Sequence, residues 1–130
     1  MISINTTTLS GNLTRDAILR TASDDTGVLD FTIAVTDSRK NQQTGEWEDY
    51  PNFIECTLFG KLAHALSRKL TKGTRVCVQG KLRFSQWMKD DEKRSKVSVI
   101  VKEIEVISSK EAAESDSSMT YNVYDEDIPF

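Results

Sequence analysis

From Leu29 to Val35 apolar and polar residues alternate without a break. Leu29, Phe31, Ile33 and Val35 fall on one side of a pleated chain, and Asp30, Thr32 and Ala34 on the other. A period of two is the mark of a half-buried β-strand. The stretch FIECTLF repeats the pattern, with Ile54, Cys56 and Leu58 on one face and Phe53, Glu55, Thr57 and Phe59 on the other. A third run, RVCVQGKLRFSQW, is long and holds Gly80 in its interior, where a strand glycine marks a bulge or a sharp bend. A fourth, KVSVIVKEIEVI, presents Val97, Val99 and Val101 and then changes register towards Ile104 and Val106. The opening NTTTLSGNL reads as a strand ahead of these. Only KLAHALSRKL has helical spacing: Leu62, Leu66 and Leu70 stack at every fourth position, and Lys72-Gly73 then closes the turn.

The predicted order is three strands, one helix, two strands, an all-β chain. Five antiparallel strands with a helix between the third and fourth describe the oligonucleotide/oligosaccharide-binding (OB) barrel, although other small barrels and sandwiches share that order. Two polar, mixed-charge segments, Ser38–Asn52 and Met88–Ser95, read as long loops, and the first exposes Trp47 and Tyr50. After Ser108 aliphatic content and periodicity fade together, which is the composition of a disordered segment. The predicted organisation is a barrel over residues 1–107, a disordered linker over 108–124 and an acidic tip over 125–130.

Composition narrows the class. With 130 residues, 38% of them hydrophobic, the chain fits one domain and a tail. It has no apolar run of membrane-spanning length, and MISINTTTLSGNL lacks the basic start and apolar stretch of a secretory signal. Cys56 and Cys77, the only cysteines, therefore read as reduced thiols in strand-like runs, and the expected compartment is the cytoplasm, beside the nucleoid. Net charge is -3, but its distribution matters more. Residues 1–110 hold all 17 Lys and Arg with 14 acids, whereas residues 111–130 hold 6 acids and no base. A mildly basic body carries an acidic tail.

The candidate chemistry follows from the strand faces. If Ile54, Cys56 and Leu58 point into the barrel, Phe53 and Phe59 point out. The same logic sends Lys81, Arg83, Ser85 and Trp87 outward on the next strand and leaves Leu82 and Phe84 inside. Aromatic faces among cations are what a single nucleic-acid strand needs, bases stacking on rings while Lys and Arg track the phosphates. Arg39, Lys40, Lys61, Lys72, Arg75, Arg83 and Lys89 supply the charge, and Trp47 a further ring. Each residue also has a plainer reading: a phenylalanine in a covered sheet face or subunit interface, a lysine on an ordinary solvated surface. Enzyme chemistry is not indicated. His64, the only histidine, lies on the polar side of the helix. No Cys/His spacing suits zinc, and the GKL at Gly60–Leu62 lacks the remainder of a phosphate-binding loop, so neither metal nor cofactor is expected.

The chain ends YDEDIPF. Asp125, Glu126 and Asp127 repel one another, and Pro129 turns Ile128 away from helix, so the tip is predicted extended. Phe130 offers a ring and a free carboxylate together, a shape for a partner's apolar pocket rimmed by Lys or Arg.

Three stretches in order, LFGKLA, KGTRVCVQGKLR and the terminal DIPF, resemble the bacterial single-stranded DNA-binding protein family, and SGNLTRD is similar to that family's first-strand turn. The resemblance implies an OB barrel and sequence-independent coating of single-stranded DNA in replication, recombination and repair. It also implies a homotetramer, a dimer being the lesser alternative, and a tip that recruits partner enzymes. It places strand contacts at Phe53, Phe59, Trp87, Lys61, Lys72 and Arg83. The chain departs from the family at four points. Ser38-Arg39 replaces an early loop tryptophan, with Trp47 the candidate substitute. Glu55 stands where a basic residue is common, Ile54 replaces an interface histidine, and Thr7 and Thr8 replace aliphatics on the strand that commonly joins subunits. The rival reading is an OB adaptor or RNA-binding module without the coating role.

Overall fold

The computed structural model describes residues 1–22, 24–108 and 119–123. The strict alternation between Leu29 and Val35 lies within strand β3 (Gly27–Lys40), with Leu29, Phe31 and Ile33 buried and Val35 packed against them. FIECTLF lies within β4 (Trp47–Phe59), whose Cys56 and Leu58 complete that layer. The remaining strands are β1 (Thr7–Leu13), β2 (Ile18–Thr21), β5 (Arg75–Lys89), β6 (Glu92–Ser108) and β7 (Met119–Asn122).

β1, β5, β6, β4 and β3 close into a five-stranded OB barrel, because β1 pairs with β5 along one edge and returns to β3 at Asn12↔Ala34 and Leu13↔Ile33. Neighbours run antiparallel except where β4 meets β6 at Cys56↔Val99 and Thr57↔Ile100. That pair is parallel, which corrects the expectation of an all-antiparallel barrel. β2 adds to the outer edge of β3. Valines 76, 78, 99 and 101 and Ile104 fill the interior, so the β5 and β6 alternation was legible up to its register change. That change is a bulge: Gln79 faces Glu103 but Gly80 faces Val101, leaving Lys102 as the extra residue. Gly80 is required there, since a Cβ would run into the Ile100 carbonyl.

Helix α1 (Lys61–Leu66) follows β4 and is shorter than the predicted Lys61–Leu70. Turns carry the chain onward, yet the Leu70 amide still donates to the Leu66 carbonyl at 3.1 Å, and Ala63, Leu66 and Leu70 all reach the core. The leucine line therefore marks the buried face correctly while overstating the helix. Gly73, with φ +90°, makes the turn into β5 instead of capping α1. Both thiols are free, and no described helix is long and apolar enough to cross a membrane.

Three expectations change. Ser38–Asn52 is mostly strand: β3 and β4 stay paired to Lys40↔Trp47, and only Asn41–Glu46 turns, with Asn41 Oδ1 accepting from the Gln43 and Thr44 amides. Met88–Ser95 is likewise the end of a hairpin, reversed at Asp90 and Asp91, whose φ values of 53° and 63° are those of a two-residue turn. Both arms are wet on both faces, so neither alternates. Finally, residues 119–122, expected in a disordered linker, form β7 against β6, and Val123 is buried in the core. Ser108, the first residue of the predicted linker, ends β6, while residues 109–118 and 124 and the tip lie outside the described residues.

Candidate nucleic-acid interface

Two outward surfaces meet where β4 and β6 run side by side. On β4 the outward set is Phe53, Glu55, Thr57 and Phe59. On the β5–β6 hairpin, directly opposed residues share a face, so Arg83 and Ser98, Ser85 and Lys96, and Trp87 and Arg94 form one outward band. Phe53 is 65% exposed and Trp87 42% exposed, a large aromatic area to leave in water. Lys96 joins the two surfaces. Its Nζ lies 3.3 Å from Glu55 Oε2 on β4 and 5.9 Å from the centroid of the Trp87 ring.

The β3–β4 arm carries a second aromatic group. Trp47 is 68% exposed, and Arg39 stands 5.7 Å over the Tyr50 ring. Ser38 to Gln43 and Trp47 to Tyr50 line an open cleft of about 680 Å³, with Lys40 beside Trp47 across the ladder. Cation and ring thus alternate on this arm, as single-strand stacking and phosphate contact require.

Not every predicted residue joins these surfaces. Phe59 points outward, as the alternation demanded, but it is only 8% exposed and packs with Val28 and Ile100 in a small outer cluster that Ala22 flanks. It is covered in the free chain, which corrects its expected exposure. Leu82 and Phe84, expected inside, are 47% and 60% exposed, because here the hairpin has left the barrel and both its faces are wet. Arg75 begins β5, at the end opposite Trp87, and Lys72 lies in the turn before it. The Lys72 amide donates to Asp16 Oδ1 at 2.8 Å, and the Arg75 guanidinium donates to Asn12 Oδ1 at 2.9 Å. Lys61 opens α1 just past Phe59, and Lys89 ends β5 at the hairpin turn, both exposed. Asp125, Glu126, Asp127, Ile128, Pro129 and Phe130 lie outside the described residues.

Sequence reasoning missed Lys96 and Arg94 as members of the surface, and Tyr50 as the ring on the other face of the β3–β4 arm. A signal for the first two existed: in RSKVSVIV they keep opposite parity to the buried Val99 and Val101, which puts them on the outer face. Seeing it required knowing that β6 begins at Glu92.

Among the described residues no group of three His, Cys, Asp or Glu stands ready to hold a metal ion. Burial, with a smaller push from the Glu55 charge, raises the Cys56 thiol to about 12, so it stays protonated and a poor nucleophile.

Residues 4–107 match the model of the single-strand binding protein family. The single-stranded DNA-binding protein of Borreliella burgdorferi is 34% identical over 151 aligned positions that cover the whole of both chains. Among solved structures, a deletion mutant of the single-stranded DNA binding protein from Thermus aquaticus matches with a TM-score of 0.65 and 26% identity, over 79% of this chain and 56% of that one. A Plasmodium falciparum SSB in complex with ssDNA has a TM-score of 0.70 over 95% of this chain and 98% of that one; at 16% identity it shows the fold alone.

Proposed function

The chain belongs to the single-strand binding protein family, and from that we propose that it binds single-stranded DNA by stacking and charge, without reading sequence. Bases stack on Phe53 and Trp87, and Trp47, on the same face of β4 as Phe53, extends the platform along the β3–β4 arm, whose other face carries Tyr50. Arg39, Lys40, Arg83 and Lys89 take phosphates beside those rings. Lys61, Lys72 and Arg75 join the strand's path where it continues past α1 to the base of β5. Phe59 then supports the platform as an outward cluster residue and presents little ring of its own.

The observation that carries this reading is the exposure of Phe53 and Trp87 on adjoining outward surfaces flanked by Lys and Arg. Free energy would favour burying both rings in a domain that did not use them.

The role follows as part of the same proposal: protection of single strands in replication, recombination and repair, by binding and not by catalysis. The tip, Asp125 to Phe130, is the hook for partner enzymes, its acids steering towards a basic rim and Phe130 filling the pocket. Self-association, as a tetramer or a dimer, completes the expected assembly.

Titration with oligothymidylate, following tryptophan fluorescence, tests the binding. Quenching that saturates at a fixed nucleotide-to-protein ratio, with far weaker binding of duplex DNA and of RNA of equal length, is the expected result. Equal affinity for all three, or no quenching, overturns it. Solution mass with and without the oligonucleotide reads the assembly.

A further inference from the structure

Glu55 sits on the outward face of β4, on the same side as Phe53, and its carboxylate holds the Lys96 ammonium at 3.3 Å. Both side chains are about half exposed, at 52% and 49%. An acid here is out of place for a surface that takes a polyanion. A strand stacked on both Phe53 and Trp87 must cross this pair, since Lys96 touches β4 through Glu55 and the hairpin through the Trp87 ring. We infer that Lys96 is a phosphate contact that Glu55 holds in reserve, so that Glu55 sets how tightly the chain takes single strands. The inference rests on the proposed single-strand reading and adds two residues to it.

The physics makes exchange possible. An exposed pair in water is weak, worth no more than about a fivefold bias in favour of the closed arrangement. The lysine stem is flexible, and its ammonium is a point charge that can turn from carboxylate to phosphate without fixed geometry. A nucleotide stacked on Trp87 brings its phosphate within that stem's reach. Binding then opens the pair and leaves the Glu55 carboxylate uncompensated beneath a phosphate backbone. The carboxylate thus lowers affinity in two ways: it competes for Lys96 in the free protein and repels the strand in the complex.

A double-mutant cycle reads this directly. Affinity for oligothymidylate is measured at several salt concentrations for the full chain, Glu55→Gln, Lys96→Gln and the double variant, with thermal melts showing that each folds. Glu55→Gln should bind three- to tenfold more tightly. Lys96→Gln should cost about fivefold in the Glu55→Gln background, where Lys96 is free to meet phosphate, and flatten the salt slope there by about 0.7. In the native background it should cost only about twofold. The sign of this difference decides. If the pair instead stays closed in the complex, Lys96→Gln exposes a bare acid to the strand in the native background and costs more there than in the other. That result, or equal costs in both backgrounds, overturns the inference while leaving single-strand binding intact. No binding by the unaltered chain overturns the functional reading itself.

Discussion

The side-chain amide of Asn5 closes on the peptide of Leu82: Nδ2 donates to the Leu82 carbonyl at 2.8 Å, and the Leu82 amide donates to Oδ1 at 2.9 Å. The last backbone partners before this point are Thr7 and Gly80. A side chain thus imitates one more rung of the ladder and ties Asn5 to the root of the β5–β6 hairpin. Asn5→Ala should cost about 1 kcal/mol, as expected for two hydrogen bonds in contact with water. It should also speed amide exchange at Leu82 well beyond that at Val78. Unchanged exchange at Leu82 would show that the clamp does not form in solution.

Trp87→Ala should weaken oligothymidylate binding by about 1–3 kcal/mol, a magnitude taken from single-strand binders as a class, and leave the melting temperature nearly unchanged. The ring is exposed, so removing it opens no cavity. Loss of fold, or parental affinity in a folded variant, would remove Trp87 from the platform.

Phe59 and Phe53 should part company. Phe59→Ala empties a cluster shared with Val28 and Ile100 and should lower stability by about 3 kcal/mol in urea unfolding. Phe53→Ala, at an exposed position, should stay within about 0.5 kcal/mol of the parent. Equal stability losses would mean that Phe53 is covered in solution, most simply by another subunit.

This contrast shows what the sequence could carry. Alternation told inward from outward along β3, β4 and the first half of β5, because there one face is dry and the other is not. It could not tell outward-and-wet from outward-and-covered. Phe59 is covered by Val28 and Ile100, from strands that meet β4 only in the folded barrel. Beyond Gly80 the hairpin leaves the core, both faces are wet, and Leu82 and Phe84 no longer obey the rule. The same loss of a dry face hid the strand arms flanking Asn41 and Asp90. Lys96 was invisible for another reason: its partners, Glu55 and Trp87, belong to different strands, and only the fold brings them to it.

Cys56 gives the barrel an alkaline weakness. Its thiol is raised from 9.0 to about 12 in the folded chain, so the folded state holds this proton more tightly than the unfolded one. The stabilisation is fully present below about pH 9 and is lost as pH rises towards the folded value. Unfolding free energy should therefore fall between pH 9 and pH 11 more steeply for the parent than for Cys56→Ala, which starts less stable but lacks the proton. Parallel curves would show that Cys56 titrates as an exposed thiol.

Removal of Phe130 should leave oligothymidylate affinity unchanged and abolish capture of replication and repair enzymes in pull-downs. Partners that still bind would show that the ring is not the hook.

β7 alters how far that hook can travel. With Met119–Asn122 laid on β6, and the Val123 amide bonded to the Lys102 carbonyl at 2.7 Å, the chain is pinned to the barrel once more after leaving it. From Val123 to Phe130 the chain can span at most about 25 Å, against about 80 Å from Ser108 to Phe130. An enzyme docked on the proposed tip would thus be held within that span of β7, and loosening a four-residue strand would more than triple its radius of action. On the proposed reading of the tip, β7 is the pivot that sets where a partner held by Phe130 meets the DNA.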